Sequence, residues 1–578
     1  MGQATRTLRD GFLGSLERFP DRPALAIGDE AWSFAELGVR AAQVAATLRA
    51  VGFRDEGSEV RRPASPDANP DVGADVGAEV SPGESRLVAV FGHRHPTAFA
   101  GILGALLHGS GYVPLNPMFP VPRSRAMLER SGCCALVVDA TASSKLVELV
   151  ADFPRALTIV LPDEADVSAL QAALPEHTVL GAVDLRPANE HVLGEASPDD
   201  IAYLLFTSGS TGQPKGVMVA QRNVTAFVDV MVERYGVSEQ DRFSQTFDLT
   251  FDLSVFDMFC AWERGACVCV PTAQQKLFPS KYLKQHALTV WFSVPSTGVL
   301  MSRLRMLKPD SYPSLRYTLF CGEALPTEVV TQFAAAAPAS VVENLYGPTE
   351  LTIACTLYRW RGDASLPESE HGVVPIGEPY PGMRAIVVDE QLRAVPRGEA
   401  GELLLTGPQV TPGYWQDPER TAQAFVVPPD EHETFYRTGD RVRWPAGGPL
   451  LYLGRVDNQV KIQGYRVELG EIEAVLREVA GAEVAIALGW PLSTSGADGV
   501  VGFVPTPSEL VGKTDAASQA ARDALGGAHV AGARERLPSY MQPSRVLLID
   551  EFPLNANGKV DRKALRALLD TPAEGGAA

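Results

Sequence analysis

The sequence predicts an α/β protein of more than one domain. Two patterns carry this. From Leu87 onward, short apolar runs alternate with helical patterns, and the run at 201–206 opens into a glycine- and hydroxyl-rich loop. Such alternation builds a sheet of parallel strands with helices on its faces. A loop following one of those strands lies where open α/β sheets bind ligands. The 578 residues are too many for one hydrophobic core.

Taken in order, the first segment reads as helix, short hairpin, helix. Leu8, Phe12, Leu16 and Phe19 recur at helical spacing, as do Phe34, Leu37, Ala41, Val44 and Leu48. Residues 54–86 hold eight acidic residues, four Arg and the near-repeat DVGADVGAEV, without an aromatic. This stretch cannot bury enough apolar area to offset its ordering entropy, so it reads as a disordered insertion. Strands follow at 87–91, 135–138 and 157–161, and the GSGYVPLNP segment from Gly109 turns into another. Residues 370–455 are short strands punctuated by glycine, which predicts a small β subdomain. After 455 comes a helix with Ile472, Val475, Leu476 and Val479 on one face, and near the end a strand at 546–549 and a further helix.

Composition narrows the function. The net charge of −19 argues against nucleic acid as a partner and confines any basic docking patch to a local one. No apolar run reaches about 18 residues, so no membrane span is expected. The N-terminus lacks a basic-then-apolar signal pattern. Seven cysteines without paired C-x-x-C spacing argue against a disulfide framework or a zinc site, and buried thiols in the cytoplasm are the expectation.

The chemistry concentrates in a few stretches. In LLFTSGSTGQPKG, Thr207, Ser208, Gly209, Ser210 and Thr211 offer small residues and hydroxyls, and Lys215 a positive charge. Backbone N–H groups of such a loop can form a nest for a phosphate chain. The spacing is not that of a Walker loop, because Gly212 is followed by Gln213 and Pro214. FDLTFDLSVFDMF sets Asp248, Asp252 and Asp257 among aromatics. A carboxylate in apolar surroundings is costly unless paired, and a substrate ammonium would pair with one. Asp248 and Asp257 are expected to cap turns or helix starts, whereas Asp252 is the candidate for that ammonium. In NLYGPTE, Tyr346 offers a flat face for a purine, Thr349 a hydroxyl, and Glu350 a carboxylate able to hold Mg²⁺ against phosphate. In YRTGD, Asp440 suits a pair of ribose hydroxyls. In NANGKVDRK, Asn-Gly forms a tight turn that presents Lys559.

These motifs, in this order, resemble the adenylate-forming superfamily of acyl- and aryl-CoA synthetases, luciferases and amino-acid adenylation domains of non-ribosomal peptide synthesis. The resemblance spans Phe12 to Leu569 apart from the insertion. It implies a large N-terminal domain of layered α/β sheets with a β subdomain (1–456), and a small mobile α+β domain (457–570). The last residues, 571–578, are expected to be disordered. Asp457 would be the hinge and Gly464 would border a pantetheine tunnel. ATP would be held by the loop of Thr207–Lys215 residues and by Gly322, Glu323, Ala324, Asn344, Tyr346, Gly347, Thr349, Asp440 and Arg455. Lys559 and Glu350 would be catalytic, Glu350 through Mg²⁺.

Because FDLSVFDMF resembles the segment where amino-acid adenylation domains hold the α-amino group, Asp252 separates this chain from acyl-CoA synthetases. Pocket positions carried over by motif are Asp252, Leu253, Phe256, Ser293, Leu319, Cys321, Leu345, Ile353 and Ala354. No second charge stands among them, and large apolar walls favour a small apolar amino acid: alanine-sized first, then proline, then a short β-amino acid. FCGEALP also resembles the D-alanine–carrier protein ligases. Leu253 departs from the smaller residue of many peptide-synthetase pockets. With neither a carrier domain nor a condensation motif in the chain, the resemblance implies a stand-alone cytoplasmic ligase that loads a separate phosphopantetheinylated carrier protein. The rival readings are an acyl- or aryl-CoA synthetase using free CoA, and a non-catalytic nucleotide-binding scaffold.

Overall fold

The computed structural model describes residues 6–52, 86–208, 214–456, 459–493, 496–554 and 560–570. The expected insertion at 54–86, apart from Arg86, and the expected tail at 571–578 lie outside the described residues. Contacts divide the chain into two units. The larger comprises Met1–Phe206 and Lys215–Val456, the smaller Thr207–Pro214 and Asp457–Ala578.

The larger unit is built on two big sheets. One has nine strands, whose central members Tyr317–Phe320, Val290–Ser293, Arg242–Ser244, Cys267–Val270 and Pro23–Ile27 run parallel. Antiparallel strands flank them: Thr356–Arg359 on Val341–Tyr346 at one side, Glu30–Ser33 at the other. The second sheet has eight strands, with parallel pairing from Ile201–Thr207 through Gly111–Leu115, Leu87–Phe91, Ala135–Val138 and Thr158–Val160 to Thr178–Leu180. Its strands are near-continuous apolar runs because both faces are covered. The β subdomain follows: Arg384–Val388, Ala400–Thr406 and Phe435–Arg443 pair antiparallel, with Leu451–Arg455 on the last of these.

Helices in the larger unit start and stop for local reasons. Phe34–Ala50 opens on a capping box between Ser33 and Glu36, which satisfies two orphan N–H groups. Pro96–His108 begins with proline and ends at Gly109, whose φ of 90° suits the left-handed cap. The two helices pack closely because position 104 is glycine; a Cβ there would fall 2.8 Å from Val44. The aromatic and aliphatic side chains between the layers form one large core, from Phe12 and Phe34 to Phe256, Phe292 and Tyr436.

The smaller unit carries a three-stranded sheet, Ile486–Gly489, Val500–Pro505 and Pro543–Ile549, backed by helices Leu469–Ala480 and Ala516–Arg534. Of the face expected on Leu469–Ala480, Ile472 and Leu476 are buried, Val475 and Val479 are half-buried, and Glu473 is buried as well. Glu473 is stabilised there by Arg562 at 2.6 Å and by the N–H of Ala487.

Candidate active site

The FDLTFDLSVFDMF segment leaves the nine-stranded sheet after Arg242–Ser244 and turns into helix at Leu253. Asp248 forms an Asx turn with the N–H and hydroxyl of Thr250 (3.0 and 2.6 Å). It also accepts from Asn116 Nδ2 at 2.7 Å and meets His93 Nδ1 at 3.1 Å, tying this segment to two strand ends of the other sheet. Although burial raises its pKa, the bonds from His93 and Thr250 hold it at about 2.

Asp257 is not the cap that its position suggested. It lies inside a helical stretch, Phe256–Cys260, fully buried, and neither carboxyl oxygen has a hydrogen-bond partner in the structure. Burial pushes its pKa well up, against the opposing Arg94 charge.

Asp252 differs from both. It is buried, and its Oδ2 has no hydrogen-bond partner. Burial and the nearby Glu350 charge push its pKa up to about 7, opposed by the Thr349 hydroxyl and the N–H groups of Leu253 and Ile353. Asp252, Thr349 and Glu350 are thereby brought together. The expected pocket residues Leu253, Phe256, Leu319, Cys321, Leu345, Ile353 and Ala354 all belong to the same buried cluster. Ser293 closes its strand, buried, with Oγ donating to Val294 O. Phe256 packs edge-on against Phe292 with centroids 4.9 Å apart, and Phe227 and Tyr235 each lie at 6.2 Å.

Glu350 follows the strand Val341–Tyr346 on a single 3-10 turn. Its Oε1 accepts from Lys215 Nζ at 3.0 Å and from the Tyr414 hydroxyl at 2.7 Å. Lys215 also sits 4.6 Å above the Tyr414 ring, and both partners of the ion pair are buried. Tyr414 is placed by antiparallel pairing of Gly413–Tyr414 with the strand that begins at Lys215. Sequence reasoning missed Tyr414; its only signal was a Gly-Tyr pair within residues 370–455, and its strand joins the eight-stranded sheet rather than the β subdomain.

Tyr346 does not stand open as a flat face. It is buried, and its hydroxyl donates to Asp440 Oδ2 at 2.5 Å. Asp440 Oδ1 accepts from Arg455 Nη1 at 2.8 Å, across neighbouring strands where the two residues are directly paired. Asn344 donates to Pro375 O at 2.9 Å, while its Oδ1 is buried without a partner. Gly322 takes φ 98° after the strand Tyr317–Phe320, and Glu323 Oε2 accepts the Ser296 N–H at 2.7 Å; Ala324 is half-buried. Gly347 is required by close approach, since a Cβ would fall 2.5 Å from Ala354 Cα.

Thr207 and Ser208 group with the smaller unit, whereas Lys215 belongs to the larger. Thr207 Oγ1 is buried without a partner. Gly464 takes φ 84° at the turn between Gln459–Ile462 and Tyr465–Glu468. Gly209, Ser210, Thr211, Asp457 and Lys559 lie outside the described residues. Among the described residues no group of three His, Cys, Asp or Glu side chains is placed to hold a metal ion. No helix among them is long and apolar enough to cross a membrane.

Residues 77–415 match the family model of the AMP-binding enzymes. An L-proline–[L-prolyl-carrier protein] ligase of Streptomyces coelicolor is 36% identical over 508 residues, covering 84% of this chain and 87% of its own. Tyrocidine synthase 3 of Brevibacillus parabrevis is 32% identical over 97% of this chain, which spans only 8% of that protein. Likewise the chain spans 19% of a dimodular nonribosomal peptide synthase of Bacillus subtilis. Among solved structures, the Vibrio cholerae adenylation domain AlmE, in complex with glycyl-adenosine-5'-phosphate, superposes with a TM-score of 0.80. It is 30% identical, with 99% of each chain covered. The chain therefore belongs to the AMP-binding enzyme family, with the adenylation-domain fold. By class it is an AMP-forming ligase.

Proposed function

We propose that this protein activates a small apolar amino acid with ATP and passes the aminoacyl group to the phosphopantetheine thiol of a separate carrier protein. The observation that carries the amino-acid reading is Asp252: a buried carboxylate whose Oδ2 lacks a partner, next to Thr349 and Glu350. A substrate α-ammonium supplies the missing partner and favours the ionised form. A simple acid has no group to do so, which weighs against an acyl- or aryl-CoA synthetase. Leu253 and Phe256, the latter packed against Phe292, are large apolar walls, which favours a small side chain. An alanine-sized amino acid is favoured, with proline next. The glycyl adenylate named with AlmE and the prolyl-carrier ligase both fit small substrates.

In the first half-reaction the amino-acid carboxylate attacks the α-phosphorus, the bond to the β-phosphate oxygen breaks, and pyrophosphate leaves. Charge moves across phosphoryl oxygens, so catalysis is positioning and electrostatic stabilisation. Asp252 fixes the ammonium and thereby the carboxylate. Asp440, oriented by Tyr346 and Arg455, accepts from the ribose hydroxyls. Lys215 offers its charge to phosphate. Lys559, from the resemblance of its motif, contacts the carboxylate and α-phosphate oxygens. A single hard carboxylate plus substrate phosphates suits Mg²⁺, so Glu350 would hold that ion, which neutralises phosphate charge when bound.

The test is ATP–pyrophosphate exchange across glycine, alanine, proline, β-alanine, larger amino acids, and fatty and aryl acids. Exchange with a small amino acid is expected. Exchange confined to fatty or aryl acids would replace this reading with a CoA synthetase, and exchange with none would leave a scaffold. Transfer to a phosphopantetheinylated carrier, but not to free CoA, is expected in the second half-reaction.

A further inference from the structure

We infer that Gln409 is a positioning residue that sets the amino-acid wall. This inference rests on the placement of Ile353 and Ala354 at the substrate. Thr352 and Ile353 take φ of 57° and 74° in succession. For β-branched residues that conformation is strained, and it persists only where the surroundings impose it. Gln409 imposes it. Its buried Nε2 donates to the carbonyls of Leu351 (3.1 Å), Thr352 (3.2 Å) and Ala354 (2.7 Å). Thr352 returns a bond, Oγ1 to Gln409 O, at 2.7 Å. Two N–H hydrogens serving three buried carbonyls leave the turn little freedom, since each carbonyl left without a donor would be costly.

Gln409 is itself held. Asn223 Nδ2 donates to the carbonyls on either side of it, Pro408 (2.8 Å) and Val410 (2.9 Å). Asn223 lies on the helix Gln221–Tyr235. The Glu350 side chain, in contrast, accepts from Lys215 and Tyr414. The geometry therefore separates the two substrates: the clamp governs the amino acid more than the nucleotide.

The experiment is Gln409→Ala, read by crystal structure and by separate KM values for ATP and amino acid. Residues 352 and 353 should leave positive φ. The amino-acid KM should rise tenfold or more with the ATP KM within twofold, and preference for the small substrate over a larger one should narrow at least fivefold. Adding Thr352→Gly, which accepts positive φ without strain, should recover part of the amino-acid KM. Should Gln409→Ala not fold, Gln409→Asn, which keeps an amide one methylene shorter, gives the same readings. Both φ values retained in the variant, or ATP and amino-acid KM rising together, would overturn the assignment. Failure of the wild type to activate any amino acid sinks the proposed function instead, and the crystal readout still decides the clamp.

Discussion

Lys215 and Glu350 form a buried ion pair, Nζ to Oε1 at 3.0 Å, with the Tyr414 hydroxyl 2.7 Å from the same oxygen. They lie 135 positions apart in the chain. Removing one partner leaves the other charge uncompensated in the interior. Lys215→Met should therefore cost about 3–5 kcal/mol of stability in urea unfolding. The double variant Lys215→Met, Glu350→Gln should cost less than the sum of the two singles. Additive losses would show that the two charges do not depend on each other.

Asp252 titrates near 7 when no ammonium is present, so part of the free enzyme carries it protonated at neutral pH. The bound ammonium needs the carboxylate. Apparent amino-acid affinity should thus rise with pH through about 7 and level off above, and fall as Asp252 takes up its proton below. Asp252→Asn should flatten that profile. A charge-assisted bond contributes about 1.5–3 kcal/mol, which raises KM roughly 10- to 150-fold. A profile unchanged by Asp252→Asn would remove it from ammonium binding.

Asp440 divides its two oxygens between Tyr346 and Arg455. Tyr346→Phe keeps the ring and deletes one bond to a charged group, a loss of about 1.5–3 kcal/mol. ATP KM should rise while amino-acid KM stays within twofold. Equal rises in both would mean that the hydroxyl organises the whole site rather than the ribose end.

Gly347 backs onto Ala354 so closely that a methyl would meet backbone at 2.5 Å. Gly347→Ala should lower the urea midpoint by the equivalent of about 1–3 kcal/mol. Gly527, where a Cβ meets nothing within 4 Å, supplies the control and should tolerate alanine. Equal effects at the two positions would contradict the close approach.

What was legible in the sequence had a local signature. The Ser/Gly loop, FDLSVFDMF, NLYGPTE and YRTGD each announce themselves within about ten residues, and alternation of strands and helices conveys the layered sheets. Gln409 and Tyr414 escaped notice because their meaning lies in carbonyls and a carboxylate 55 to 64 positions away. The sequence alone makes Asp257 a cap, because an aspartate near a helix start usually is one. Periodicity cannot reveal that the helix runs through it, leaving the acid fully buried with its pKa pushed up. Asp248 was half legible: its Asx turn is local, but its bonds to His93 and Asn116 join two sheets.

The pairing of Gln409 with the 351–354 turn bears on attempts to graft a new specificity. A donor cassette cut from Asp252 to Ala354 would import every wall residue and leave its buttress behind in the recipient. Chimeras cut beyond Tyr414, which also carry Thr411, whose N–H bonds Glu350 O at 3.1 Å, would move brace and wall as one piece.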